Sequence, residues 1–241
     1  MKYNQENLAY VWEMIRVAIL DDHQSIVDGY CYRLSAHPEI KIVGTLVFGS
    51  DMEPFLARNP AEVLILDVNV PTSADNPNPY PILHLMRRLL DLYPELAILV
   101  ISMHNQRTLI QAVMDAGASG YIVKDDREAI RKLGSVVTDI ARGGVFFSVQ
   151  AQQVMARQQQ GDDDPSELLT PRQLEVLSLC ASYPGSTTAE LARVMMVENS
   201  TVRNLLSSAY VRLNVNNRTA ALAKIRQAGL IPPIIVPPLK L

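Results

Sequence analysis

The chain has 241 residues, of which 48% are hydrophobic and 20% are charged, and its formal net charge is -3. This length and composition are typical of a soluble protein with two modest domains, each large enough to bury a core. No run of about 18 apolar residues is present, which excludes a membrane-spanning helix, and residues 1–13 lack the apolar segment of a signal peptide. We therefore expect a cytoplasmic protein.

Charge is divided unevenly along the chain. Residues 1–150 contain 13 Lys and Arg against 18 Asp and Glu, whereas residues 166–241 contain 8 against 4. An acidic first part joined to a basic second part indicates that only the second part meets a polyanion. The two cysteines, Cys31 and Cys180, lie on apolar stretches in different halves, so we expect buried free thiols.

Short apolar runs alternate with helical patterns in the first part of the chain. Strands are predicted at 16–20, 40–45, 63–67, 97–101 and 120–123. Helical periodicity runs over 26–34, 109–116 and 130–140. This alternation predicts an α/β domain with a doubly wound, five-stranded parallel sheet.

Ionisable residues follow the ends of several predicted strands. Asp21 and Asp22 follow the first strand, Asp67 ends the third, and Lys124 follows the fifth. In an open parallel sheet these strand ends meet at one edge, where ligands bind. Carboxylates suit Mg²⁺, an ammonium can hold a phosphoryl oxygen, and Ser102 at the end of the fourth strand can reach the same group. Each residue alone is better explained as a turn former or, for Lys124, as a solvated loop lysine, but the five together favour a metal and phosphoryl site.

Proline-rich and polar segments follow this pattern. Residues 71–81, just after Asp67, contain four prolines and cannot be helical before about Pro81. Residues 148–165 are predicted to be a polar linker whose first part can continue as helix. Residues 231–241 form a proline-rich tail, which covers an apolar patch, meets a partner or is disordered.

Four helices are predicted in the last part of the chain. They run over 171–181, over 189–196, from a cap at Asn199 or Ser200 to about 215, and over 218–228. The caps of the first two are Thr170 and either Thr187 or Thr188. Four closely spaced helices predict a small all-α domain.

The third of these helices has two different sides. Its apolar stripe consists of Val202, Leu206, Ala209 and Leu213. The residues predicted to contact DNA are Thr201, Arg203, Asn204, Ser207, Ser208, Arg212 and Arg218. Arg and Asn are the residue types that read guanine and adenine edges in the major groove, Thr201, Arg212 and Arg218 suit phosphates, and Ser207 and Ser208 face outward. Taken alone, such a helix is more often an ordinary solvated surface.

Several segments resemble the bacterial two-component response regulators of the NarL/LuxR class, or FixJ family. The segments are 17–23 (VAILDDH), 64–68 (LILDV), 100–104 (VISMH), 117–125 (GASGYIVKD), 169–177 (LTPRQLEVL) and 201–204 (TVRN). The resemblance implies a receiver domain over 14–147, after an extension at 1–13, and a LuxR-type helix-turn-helix domain over 166–230. In that fold the second helix of the motif enters the major groove.

The resemblance also assigns roles at the acidic edge. It implies that a histidine kinase phosphorylates Asp67 and that Mg²⁺ is bound by Asp21, Asp22, Asp67 and the backbone carbonyl of Asn69. The residues implied to contact the phosphoryl group and to switch are Ser102, Tyr121 and Lys124. For Tyr121 the alternative is a ring that reaches from the strand end to water.

The chain departs from the family pattern at three places. The connection after Asp67 is longer than the usual short one and carries Pro81 where glycine is expected. Leu205 stands where relatives often have His, and Asn214 where they usually have Gly. The first departure bears on kinase choice and the lifetime of the phosphoryl group, and the others on DNA reading.

These features predict a transcriptional regulator rather than an enzyme. Phosphorylation of Asp67 is expected to favour a homodimer that binds an inverted or direct repeat in double-stranded DNA. One alternative is a DNA-binding regulator that is controlled at its receiver by protein contacts or a ligand, without phosphorylation. A third reading, a magnesium-dependent phosphatase, lacks a general acid and a substrate pocket in the sequence.

Overall fold

The computed structural model describes residues 14–156 and 169–231, which form an α/β part and an all-helical part. The predictions for residues 1–13, for the linker beyond 156 and for the tail beyond Ile231 fall outside these residues.

A parallel sheet of six strands, flanked by helices, forms the α/β part, in the spatial order β2-β1-β3-β6-β7-β8. The strands in chain order are β1 Ile15–Leu20, β2 Ile40–Leu46, β3 Val63–Leu66, β4 Pro71–Ser73, β5 Asn76–Pro79, β6 Ala97–Ser102, β7 Gly120–Val123 and β8 Phe146–Phe147. The five predicted strands are confirmed. The sequence did not predict β8, because two residues are too few to show a period.

Seven helices of the described α/β part connect and cover these strands. They are α1 Gln24–Leu34, α2 Met52–Leu56, α3 Ile82–Leu92, α4 Arg107–Asp115, α5 Arg127–Arg131, α6 Leu133–Ala141 and α7 Val149–Ala156. The pattern over 130–140 predicted a single helix, which is wrong: Lys132, at φ -90 and ψ 13, separates α5 from α6. Periodicity persists across this break because both helices bury their apolar sides against the same sheet face.

The segment after Asp67 forms an antiparallel hairpin of β4 and β5, which the sequence described only as non-helical. Thr72 Oγ1 donates to the Asn78 carbonyl at 2.8 Å, and the Asn78 side-chain amide donates to Asn76 Oδ1 at 2.8 Å. The hairpin has only two strands, so its prolines interrupt no central ladder. Within residues 71–81 no helix begins, as predicted, because α3 starts at Ile82.

The second part contains four helices, as predicted. They are α8 Pro171–Ser182, α9 Thr188–Val194, α10 Asn199–Arg212 and α11 Arg218–Gln227. Thr170 and Thr187 cap α8 and α9 in capping boxes. The predicted cap of α10 is wrong, because Glu198 holds the cap position and contributes no side-chain hydrogen bond there. The polar run from Glu198 onward offered several similar starting points, and backbone geometry selects among them.

Apolar side chains form a layer on each face of the sheet. The layer under α3 and α4 continues into the buried side chains around α8, so the two parts share one apolar cluster. Both cysteines are free thiols, but only Cys180 is buried as predicted, whereas Cys31 is half-buried and packs against the apolar layer that α1 covers.

Candidate phosphoryl-acceptor site and nucleic-acid interface

Three predicted carboxylates converge at the carboxyl edge of the sheet. Asp21 and Asp22 follow β1, Asp67 follows the neighbouring β3, and one carboxylate oxygen of each lies within 4.8 Å of the others and of a ring nitrogen of His23. Asp21 and Asp67 are buried, with exposures of 2% and 3%. The parallel pairing of β1 with β3 therefore creates the cluster that the sequence predicted.

Lys124 joins the cluster from the end of β7. Its Nζ donates to Asp21 Oδ2 at 2.8 Å and to Asp67 Oδ2 at 2.6 Å. Burial lowers the pKa of Lys124, but the Asp67 and Asp21 carboxylates raise it more, so the net shift is upward and the ammonium stays charged. The side chain thus holds a positive charge directly against the predicted phosphoacceptor.

The donor set fits a hard divalent cation. Asp22 Oδ1 is buried without a hydrogen bond of suitable geometry, although His23 Nδ1 lies 2.8 Å away, and Asn69 Oδ1 is also buried without one. Burial raises the pKa of Asp22, His23 opposes this rise, and Asp67 and Asp21 add to it. A cation that prefers oxygen ligands would relieve both the repulsion and the unsatisfied oxygens. The Asn69 amide donates to Asp67 Oδ1 at 3.3 Å, which holds its backbone beside the cluster.

The predicted switch residues lie on the adjoining strands. Ser102 is fully buried at the end of β6, and its Oγ accepts from the His104 amide at 3.3 Å. The Tyr121 ring is fully buried and its hydroxyl donates to the His104 carbonyl at 2.7 Å, so the alternative of a ring that reaches water is wrong. Burial raises the pKa of Tyr121. Both side chains therefore meet the loop that follows β6.

Three residues near this edge were not identified from the sequence. His23 offers a ring nitrogen to the carboxylate cluster. Tyr30 is buried in α1, and its pKa is raised by burial and then by the Asp21 and Asp67 charges. Burial lowers the pKa of His104, against the Asp67 charge, which raises it. The position of His23 directly after the two aspartates was an available signal, whereas only the fold brings Tyr30 and His104 close.

The predicted DNA-reading residues lie on the outer side of α10. Val202, Leu206, Ala209 and Leu213 are buried, which confirms the apolar stripe. The residues exposed on the other sides are Thr201, Arg203, Asn204, Ser207, Ser208 and Arg212. Arg218 is half-buried at the start of α11 and donates to the Ser186 carbonyl at 2.7 Å. We call the exposed set the reading face.

Neighbouring groups hold α10 in place. Gln173 of α8 donates to Ser208 Oγ at 2.8 Å and accepts from Arg212 at 3.3 Å. Asn214 adopts a left-handed φ of 50 just after α10, the position that glycine favours and asparagine tolerates. The departure from glycine at this position therefore leaves the helix end intact.

Comparison with known proteins agrees with this geometry. Residues 17–133 match the model of the response regulator receiver domain, and residues 167–224 match that of the bacterial regulatory proteins of the luxR family. The chain is 30% identical over 215 residues to the DNA-binding transcriptional activator DevR/DosR of Mycobacterium tuberculosis, covering 86% of this chain and 92% of that one. This chain belongs to the LuxR-type response regulators.

Other members of the response-regulator family show the same two-part layout. The transcriptional regulatory protein DegU of Brevibacillus brevis is 25% identical over 236 residues, which cover 90% of this chain and 95% of DegU. The structure of RcsB from Salmonella enterica serovar Typhimurium, bound to the rprA promoter with the phosphomimetic BeF3-, shares the fold with a TM-score of 0.62 at 23% identity. The match covers 88% of this chain and 98% of RcsB. The family consists of transcriptional regulators, as the sequence predicted for this chain. Among the helices described, none has the length and apolar character to cross a membrane.

Proposed function

We propose that this regulator is switched by transfer of a phosphoryl group from a histidine kinase to Asp67. The observation that carries the proposal is the contact of Lys124 with both Asp67 and Asp21 at a buried edge that Asp22 also reaches. In the transfer, an Asp67 oxygen forms a bond to phosphorus as the P–N bond of the donor phosphohistidine breaks. Lys124 then pairs with the phosphoryl oxygens instead of the carboxylate alone.

Mg²⁺ is the cofactor that the donor atoms suit. Asp21, Asp22, Asp67 and the Asn69 carbonyl would hold it, and it supplies neutralisation of the charge on the arriving phosphoryl group. Ser102 and Tyr121 respond to that group, because they share the loop after β6 through His104. Movement of this loop transmits the change at Asp67 to the rest of the receiver.

The reading face is the proposed contact with double-stranded DNA. Arg203 and Asn204 read base edges, and Thr201, Ser207, Ser208, Arg212 and Arg218 position the helix on phosphates. RcsB, which shares the fold, forms dimers on DNA, and we propose a homodimer here too. The receiver at 14–147, the DNA-binding domain at 166–230 and a cytoplasmic location complete the proposal.

The decisive test is the intact mass of wild type and of Asp67→Asn after incubation with Mg²⁺ and a small phosphodonor. One added phosphoryl group on wild type alone, with a shift towards dimer, is the expected result. Asp75→Asn, which changes an exposed carboxylate of the hairpin, is the matched control and should be phosphorylated like wild type. A phosphoryl adduct on Asp67→Asn would contradict the assignment, and so would the absence of an adduct on both proteins.

The regulator without phosphorylation is the second candidate, because the hairpin after Asp67 is long and touches the DNA-binding domain. This candidate would be favoured if wild type gained no phosphoryl group and beryllofluoride, a phosphoryl mimic, failed to bind as well. Steady turnover of a phosphate ester would instead favour the phosphatase reading.

A further inference from the structure

Tyr30 carries a hydroxyl group that its place in the core does not explain. The residue lies on the buried side of α1, is 3% exposed, and belongs with Val27 and Leu34 to the apolar layer between this helix and the sheet. A phenylalanine would fill the same position. The Tyr30 hydroxyl is buried, yet no group of the described residues forms a hydrogen bond with it. Because a buried polar group without a partner destabilises the fold, a partner is expected in some state of the protein.

The charges of the acceptor site act on this hydroxyl. Burial raises the pKa of Tyr30, and the charges of Asp21 and then Asp67 raise it further. The phenol therefore keeps its proton at neutral pH and is available as a donor. These are the same two carboxylates that Lys124 bridges. An unused donor thus lies close enough to two charged acceptors to be influenced by both.

Tyr30 and Lys124 line the same cavity, which has a volume of about 200 Å³. Its other walls include Gly29 and Arg33 of α1 and Ile130 of α5. A Cβ added at Gly29 would meet no atom within 4 Å, so the space beside Tyr30 is open. The side chains of Lys124 and Tyr30 therefore have free volume next to them, in which small movements displace no core side chain.

The two oxygens of Asp21 have different donors. Oδ1 accepts from the His23 backbone amide at 2.9 Å, whereas Oδ2 accepts from Lys124 Nζ at 2.8 Å. In the proposed phosphorylation Lys124 turns to the phosphoryl oxygens, so Oδ2 loses its donor. Asp21 is only 2% exposed, and a buried carboxylate oxygen needs a replacement from within the protein. Each carboxylate oxygen can accept more than one bond, so a new hydrogen bond is compatible with a bound cation.

Resting on the proposed phosphorylation of Asp67, we propose that the Tyr30 hydroxyl donates a hydrogen bond to Asp21 once Lys124 has moved to the phosphoryl group. Tyr30 is then a positioning residue, which acts on the site through Asp21. The hydroxyl is unpaired before phosphorylation and paired after it, so its contribution to the free energy favours the phosphorylated state. Tyr30 thus biases the switch without touching the phosphoryl group.

Tyr30→Phe in the full chain tests this role, because it keeps the ring and removes only the hydroxyl. Without Mg²⁺ and phosphodonor, the urea midpoint of unfolding should stay the same or rise, since no hydrogen bond is lost. With Mg²⁺, beryllofluoride should bind about 10-fold more weakly than to wild type, the low end for the loss of a hydrogen bond to a charged group. Calorimetric titration measures this affinity.

Tyr32→Phe is the matched control. It removes the same hydroxyl from a ring that is 80% exposed on the same helix, and it should leave the unfolding midpoint and the beryllofluoride affinity as in wild type. Mg²⁺ without beryllofluoride provides a second control. Because Lys124 keeps its bond to Asp21 until a phosphoryl group arrives, Tyr30→Phe and wild type should bind Mg²⁺ alone with equal affinity.

Three results would overturn the role of Tyr30. Unchanged beryllofluoride affinity in Tyr30→Phe would mean that the hydroxyl is not used in the phosphorylated state. A lowered unfolding midpoint would mean that the hydroxyl already has a partner before phosphorylation and is merely structural. An equal loss of affinity for Mg²⁺ alone would mean that the hydroxyl supports the cation and does not replace Lys124. Failure of the proposed phosphorylation is a separate result, because wild type itself would then bind no beryllofluoride, and the role of Tyr30 would fall with it.

Discussion

The acidic edge of the receiver and the reading face of α10 use charged residues in opposite ways. At the edge, Asp21 and Asp67 are buried, and the side chain of Lys124, which is 6% exposed, contacts them at 2.8 and 2.6 Å. On the reading face, the charged Arg203 is exposed beside the neutral Asn204. Buried charges need their partners within the protein, whereas exposed charges remain available for a partner that arrives from solution.

This difference separates stability from recognition. Removal of the Lys124 charge from the edge should cost stability and phosphorylation together, because Asp21 and Asp67 lose their counterion. A charge removed from the reading face should cost DNA affinity alone. The junction of the two domains, where the buried Glu175 of α8 accepts from Arg87 of α3 at 2.8 Å, lies between the two cases, since it is buried but joins groups that can separate.

The largest expected effect is at the edge. Lys124→Met leaves Asp21 and Asp67 facing each other without a cation, and we expect the free energy of unfolding to fall by about 3–5 kcal/mol. Urea unfolding followed by circular dichroism measures it. Lys132→Met, which breaks the exposed pair with Glu128, is the control and should leave the midpoint nearly unchanged. Equal losses in the two variants would break the distinction between buried and exposed charge.

The next effect is on recognition. Arg203→Ala should weaken binding of the phosphorylated protein to its preferred site by about 1–3 kcal/mol and relax the choice of one base pair. Urea stability should not change. Arg142→Ala removes the same charge from an exposed position of the receiver and serves as the control. Competition titrations with specific and scrambled DNA measure the affinity. Equal losses of affinity for the two DNAs would identify Arg203 as a phosphate contact instead.

The junction should respond to acid. Burial raises the pKa of Glu175, but His84, Arg172 and Arg87 lower it more, so its pKa is below 4.5, the ordinary value. A carboxylate whose pKa is lowered in the folded state stabilises the fold at pH values above its ordinary pKa. That contribution is lost as the pH falls through the lowered pKa. As the pH is lowered from neutral through the lowered pKa of Glu175, the urea midpoint of unfolding should fall more steeply for wild type than for Glu175→Gln. Parallel curves would argue against a charged Glu175 at the junction.

The smallest effect concerns the start of α10. Glu198→Ser supplies the missing side-chain cap and should raise the free energy of unfolding by about 0.5–1 kcal/mol. Thr170→Ala, which removes an existing capping box from α8, should lower it by about 1 kcal/mol. Thermal unfolding compares the two, and a destabilised Glu198→Ser would mean that Glu198 has another role.

Much of this protein could be predicted because its signals are local. Residues 17–20, 63–66 and 97–101 are continuous apolar runs, and Asp21, Asp22 and Asp67 directly follow the first two, so a parallel sheet suffices to bring these carboxylates together. The stripe through Val202 and Leu206 is equally local. Predictions failed where several local solutions had similar energy, as at Lys132 and at the cap of α10.

The tertiary structure alone decided the hairpin and the junction. Nothing in residues 71–81 indicates that Asn76 meets Ser182, because the two are more than a hundred positions apart and a single hydrogen bond leaves no periodic pattern. Glu175 likewise falls in an ordinary helical sequence, and its burial depends on α3 packing against α8. The sequence by itself determined the fold class, the acidic edge and the reading helix, through short-range patterns of apolar and charged residues. How the two domains touch depends on packing between distant segments, which only the folded chain specifies.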